Sequence, residues 1–250
     1  MRKIRRAALI TGLAGVLFLS AVPCLAYNDI HNQELQQGVE ELSQYGVISG
    51  YTDGSFRPEQ SVTRAEFAKM IVVASNNEFL AFQDTGFGDV EADSWALSYI
   101  GVAKQLGIIN GTAADSFAPQ GKVSLEQAVK MTVSALGYEQ EASQKGGYPS
   151  GYIAVARELK LLDDQRVIEN KPASRGDIAD LLCKALAVPY YHLFSVNGSV
   201  ERDKAEGTLR DVLLQKKEQD AFILSDDELN NLAEVVSEEA LPDSSGEPAG

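Results

Sequence analysis

The sequence predicts a mainly α fold in which three helix-loop-helix units share one core, followed by a small C-terminal hairpin and helix extension. Three observations predict it. A long motif recurs at a constant offset of 61 residues, and a shorter third copy follows. Apolar residues at helical spacing flank the motif in every copy. A capping box opens each second helix. The 250 residues, 44% apolar and 23% charged, suffice for one large or two to three small domains.

The N-terminal 1–26 reads as a removed secretory signal. Arg2, Lys3, Arg5 and Arg6 precede the uncharged run from Ala7 to Val22, and Pro23 and Cys24-Leu25-Ala26 follow. A basic start, an apolar run and a small-residue end are the marks of such a segment, with cleavage expected after Ala26. Sixteen residues make a helix of about 24 Å, short of the ~30 Å hydrocarbon layer, so no membrane insertion is expected after processing. Acylation at Cys24 is the alternative, which Pro23 fits poorly. Processing removes four basic residues and leaves 18 Lys and Arg against 36 Asp and Glu, a balance of −18. So acidic a body repels phosphate backbones, and no nucleic acid is expected as a partner. It also leaves Cys183 as the lone thiol.

Repeat 1 is assigned to 27–83, repeat 2 to 84–144 and repeat 3 to 145–190. Gly46-Val47-Ile48-Ser49-Gly50 through Phe56-Arg57-Pro58 and Thr63-Arg64-Ala65-Glu66 returns as Gly107-Ile108-Ile109-Asn110-Gly111 through Phe117-Ala118-Pro119 and Ser124-Leu125-Glu126-Gln127. The third copy keeps Lys160-Leu161-Leu162 and Pro172-Ala173-Ser174-Arg175-Gly176-Asp177, with three loop residues fewer. First helices are predicted from Leu35, Val39 and Leu42; from Trp95, Tyr99, Ile100, Ala103 and Leu106; and from Tyr152, Val155, Ala156 and Leu159. Gly46 and Gly107 stop the first two. The boxes Thr63/Glu66, Ser124/Gln127 and Ser174/Asp177 start the second helices, whose stripes begin at Phe67, Ala128 and Ile178. Each pair is too small to stand alone, so a shared core is required.

An extension over 191–240 follows. A hairpin is expected around Asn197-Gly198, a helix over Thr208 to Gln219, and a second helix from the box Ser225-x-x-Glu228. That last helix is a candidate docking site, through 225–240, for another surface protein. The end, 241–250, has the composition of a disordered tail.

The motif Gly-Val-Ile-x-Gly-Tyr-x-Asp-Gly-x-Phe-x-Pro with Thr-Arg-Ala-Glu, in triplicate behind a signal segment, resembles the S-layer homology family. Tyr27-Asn28-Asp29-Ile30 and Phe87-Gly88-Asp89-Val90 are similar to the family's opening. The resemblance covers roughly Tyr27 to Pro189. It implies a pseudo-threefold assembly whose inter-repeat grooves hold pyruvylated secondary cell-wall polysaccharide, and hence a secreted protein tethered to the cell wall. It also implies polymer-binding roles for Arg64 and Arg175. Repeat 2 departs from the pattern with Leu125, so at most two such grooves are expected. Repeat 1 has Glu34 where repeat 2 has Trp95.

A pyruvate ketal is a carboxylate, which arginine's planar fork can grip with two charge-assisted hydrogen bonds. Both arginines open a helix, where a cation is unfavourable by about 0.3–1 kcal/mol. The alternative is an ion pair with Asp29, Asp89 or Glu66. Asp29, Asp89 and Trp95 complete the candidate site, Trp95 as a sugar-stacking or core residue. Thr63, Glu66, Ser124, Gln127, Ser174 and Asp177 are read as caps beside the grooves. His31 and His192 lack any partner at ligand spacing, so no metal or cofactor is expected. No nucleophile or phosphate motif appears. A secreted wall hydrolase using paired carboxylates is the enzymatic alternative; every acidic residue that can be placed belongs to a cap, a turn or a solvated face, and no enzyme is expected.

Overall fold

The computed structural model describes residues 27–80, 84–163 and 170–220. The expected signal at 1–26, the docking helix at 225–240 and the tail at 241–250 lie outside them, as does part of the shortened third loop. Seven helices run in order as α1 (Gln33–Gln44), α2 (Arg64–Ala74), α3 (Leu97–Gln105), α4 (Leu125–Ala135), α5 (Glu139–Gln144), α6 (Ser150–Glu158) and α7 (Arg175–Leu186). The hairpin β1 (Pro189–Val196) and β2 (Ser199–Thr208) follows, then a helical stretch α8 over 209–220. The fold is mainly α with one C-terminal hairpin.

All three capping boxes form in full. Thr63, Ser124 and Ser174 each accept from the amide three residues on, and Glu66, Gln127 and Asp177 reach back to the cap amide. The helices they start, α2, α4 and α7, touch one another at the centre. Each carries a buried stripe, with Phe67, Ile71, Val133, Ile178 and Leu182 almost wholly enclosed.

The first helices pack across repeats. α3 lies on α2, α6 on α4 and α1 on α7, so every first helix covers the second helix of another repeat. The units are interleaved in a ring, which is why none could bury its apolar face alone. Backbone hydrogen bonds close the same ring. Val62 N donates to Ala173 O (3.1 Å), Ala173 N to Val123 O (2.8 Å) and Val123 N to Val62 O (3.0 Å). The sequence reading placed Trp95 in a first helix, but it stands in the turn before α3, 56% exposed. Helix α5 was not anticipated.

The extension is bound onto the ring. Tyr191 N donates to Leu136 O at 3.0 Å, and Tyr138 Oη donates to Pro189 O at 2.8 Å. Gly137, at φ 82°, permits this approach, since a Cβ there would come within 2.6 Å of Tyr191 Cβ. Arg202 bonds Gly137 O, Gln140 (3.0 Å) and Glu141 (2.8 Å). Arg210 from α8 grips Glu41 of α1 with two bonds of 2.6 and 3.0 Å, while Leu209 and Leu213 are buried.

Candidate functional site

Arg64 opens α2 in repeat 1, yet its side chain belongs to the loop of repeat 2. Nε donates to Phe117 O (2.7 Å), Nη2 to Asn110 O (3.1 Å) and Nη1 to Gln127 Oε1 (3.3 Å), with the guanidinium 4.5 Å from the Phe117 ring centre. Arg175, opening α7 in repeat 3, does the same to repeat 1. Its Nε donates to Phe56 O (2.8 Å) and its Nη2 to Ser49 O (2.6 Å), again 4.5 Å from a ring, Phe56. Among the described residues its Nη1 has no hydrogen-bond partner.

Both arginines are buried, at 6% and 8% exposure. Among the described residues neither pairs with a carboxylate, so the expected alternative of an ion pair to Asp29, Asp89 or Glu66 is not what holds them. Carbonyl dipoles and a ring face satisfy the guanidinium geometrically, and the nearby carboxylates, Asp89 for Arg64 and Glu66 for Arg175, act on it only through space. Burial pushes both below the ordinary arginine value, and a guanidinium remains charged regardless.

Each arginine floors a groove, and Ile48, Ser49, Glu66, Lys69 and Met70 of one have counterparts 61 residues on, Ile109, Asn110, Gln127, Lys130 and Met131, in the other. Groove I, about 260 Å³, is lined by Arg175, Ile48, Ser49, Glu66, Lys69 and Trp95. Groove II, about 400 Å³, is lined by Arg64, Ile109, Asn110, Gln127, Lys130, and by Tyr148 and Tyr152. Lys69 and Lys130 stand at equivalent positions. Lys130 donates to Ile108 O at 3.0 Å, and burial lowers its pKa. Groove II carries the neutral Gln127 where groove I has Glu66, so its positive charge is the less offset of the two.

The third counterpart lacks both cations. It is about 240 Å³ and is lined by Glu34, Asp177 and Asp180 with Lys184. Leu125 replaces the arginine, Asp180 the lysine and Glu34 the tryptophan. Lys184 is engaged by Asp180 at 3.1 Å.

Asp29 and Asp89 are positioned inside the loops. The Asp29 carboxylate accepts from Phe56 N and Arg57 N, both at 2.7 Å. Asp89 accepts from Phe117 N (2.8 Å), Ala118 N (2.7 Å) and Ser116 Oγ (2.7 Å). These bonds hold Arg57 and Ala118 at positive φ, 58° and 56°. Desolvation pushes both carboxyls up, but the amide bonds outweigh it and hold them below the usual range. The helix-start amides are occupied too. Arg64 N donates to Gly121 O, Leu125 N to Lys171 O and Arg175 N to Gln60 O, so these amides are not open to an anion. Lys69, Lys130, Tyr148 and Tyr152 were missed as groove residues, although Lys69 and Lys130 recur at the repeat offset.

No group of three or more His, Cys, Asp or Glu among the described residues could hold a metal ion. No described helix is long and apolar enough to cross a membrane.

A family profile described as "S-layer homology domain" matches residues 27–68 and 86–129. The chain is 32% identical over 180 residues to the Middle cell wall protein of Brevibacillus brevis, covering 70% of this chain and 17% of that protein. It is 36% identical over 130 residues to the Surface layer protein of Brevibacillus choshinensis, covering 51% and 12%. A Cell surface protein of Thermoanaerobacter kivui is 28% identical over 191 residues, covering 73% and 24%. The matched region is thus less than a quarter of each of these relatives.

Proposed function

The chain belongs to the S-layer homology family, and from that premise we propose that it anchors at the bacterial cell surface by holding an acidic cell-wall polysaccharide in grooves I and II. The observation that carries this reading is the pair of buried guanidiniums that no described carboxylate contacts directly. A pyruvylated sugar supplies the missing anion as a carboxylate fixed to a pyranose ring.

The mechanism is non-covalent capture. Nε and Nη2 of each arginine are committed to loop carbonyls, so the fork is already immobilised and little side-chain entropy is lost on binding. Nη1 of Arg175 donates to the incoming carboxylate, and Nη1 of Arg64 exchanges its 3.3 Å bond to Gln127 Oε1 for the same contact. Lys69 or Lys130 adds a second cation. A charge-assisted bond of this kind contributes about 1.5–3 kcal/mol. Trp95 and Tyr148, both exposed, offer flat faces to the sugar.

Mature chain mixed with wall sacculi that retain their polysaccharide is expected in the pellet, and in the supernatant once that polymer is stripped. Equal pelleting in both cases refutes the reading. Arg64→Ala with Arg175→Ala is expected to weaken binding at least about a hundredfold, with circular dichroism checking that the helices persist.

A further inference from the structure

A second cavity adjoins groove II, sharing Ser143 with it. We propose that a second subsite, between α5 and the hairpin, takes an uncharged pyranose linked to the acidic sugar; this rests on the polysaccharide reading and adds a unit to it. A cavity of about 490 Å³ lies there. Ser143, exposed on α5, lines both it and groove II. The ridge between them is the Tyr152 hydroxyl donating to Glu139 Oε1 at 3.1 Å. The loop is shared as well, since Lys130 of groove II donates to Gly107 O at 3.4 Å and a Cβ on Gly107 would lie 3.6 Å from Val200 of the hairpin.

The cavity's lining offers both kinds of contact that a sugar takes. Leu106, Leu193 and Val200 are apolar, and Glu139, Gln140 and Gln144 are capable of hydrogen bonding. A pyranose presents C–H groups to the first and hydroxyls to the second. The charge selects a neutral unit. Arg202 is the one cation among the lining residues, and it is spent on Glu141 and Gly137 O. Glu139 and Glu201 remain and repel a second acid. Arg202 also fixes the hairpin to α5, so the walls are set before the ligand arrives. Groove I has no such extension, because among the described residues no helix stands between α2 and α3.

The test is calorimetry on the full chain with two probes. One is the methyl glycoside of a hexose carrying a pyruvate ketal, and the other is the same sugar linked to one unmodified hexose. The disaccharide is expected to bind groove II about tenfold more tightly. The double variant Gln144→Ala, Val200→Ala alters two exposed positions outside groove II. It is expected to bind the monosaccharide as the wild type does and to cut the disaccharide's advantage to about twofold or less. Equal affinity of the wild type for both probes overturns the subsite and leaves the anchoring reading standing. An advantage that survives the double variant overturns its location. If neither probe binds the wild type, the polysaccharide reading falls and the subsite falls with it.

Discussion

Arg64 and Arg175 each use Nε and Nη2 of a planar fork to tie down a neighbouring repeat's loop; Nη1 of Arg64 is held by Gln127, and Nη1 of Arg175 has no partner among the described residues. Lysine carries the charge but not the fork. Arg64→Lys is therefore expected to retain part of the long-range attraction yet lose most of the affinity, and to lower the melting temperature because Phe117 O and Asn110 O lose their donor. A variant that binds polymer as well as wild type would contradict this. Since groove II is the less offset, Arg64→Ala is expected to cost more affinity than Arg175→Ala. At Asp29 and Asp89 the folded pKa is depressed. Their contribution is fully present above the unfolded value near 3.9 and is lost as pH falls through the lower folded value. Thermal melts should show stability dropping below about pH 4. Asp89→Asn should lose about 1–2 kcal/mol at neutral pH and flatten that acid limb.

At the scale of elements, the parts legible in sequence were those governed by local chemistry. Capping boxes declare themselves because hydroxyl and carboxyl sit three residues apart, and Asn197-Gly198 marks its hairpin for an equally local reason. Ser174→Ala is expected to cost about 1 kcal/mol in urea melts, since it removes the α7 cap. Helix α5 escaped because five polar residues with one buried alanine, Ala142, have no periodic stripe to read. Trp95 escaped because its spacing from Tyr99 is helical, although the chain turns at residues 92–96 before α3 starts. The arginines were legible as misfits at helix starts. That their side chains reach into a different repeat was not, because helical periodicity within a repeat carries no information about which neighbour will cover it. The same limit hid the Arg202 tie between hairpin and α5.

For the whole molecule, the ring yields three positions and chemistry fills two of them. Calorimetry with the pyruvylated monosaccharide is expected to give two sites per chain. Leu125→Arg alone should not add a third, because Glu34, Asp177 and Asp180 still line that groove. Combining it with Asp180→Lys and Glu34→Trp should raise the count, and a count that stays at two would show that more than these side chains separates the grooves. The closed ring of backbone bonds also has a temporal consequence. Val62 is partnered by Ala173, more than a hundred residues downstream. A chain emerging from its N-terminal end carries Val62 N unmatched, and groove I without its arginine, until repeat 3 has followed. Loop closure over that distance comes late in folding. Such an order leaves groove I incomplete until the last repeat has folded, so under the proposed anchoring the chain would bind through both grooves only once its whole ring has closed.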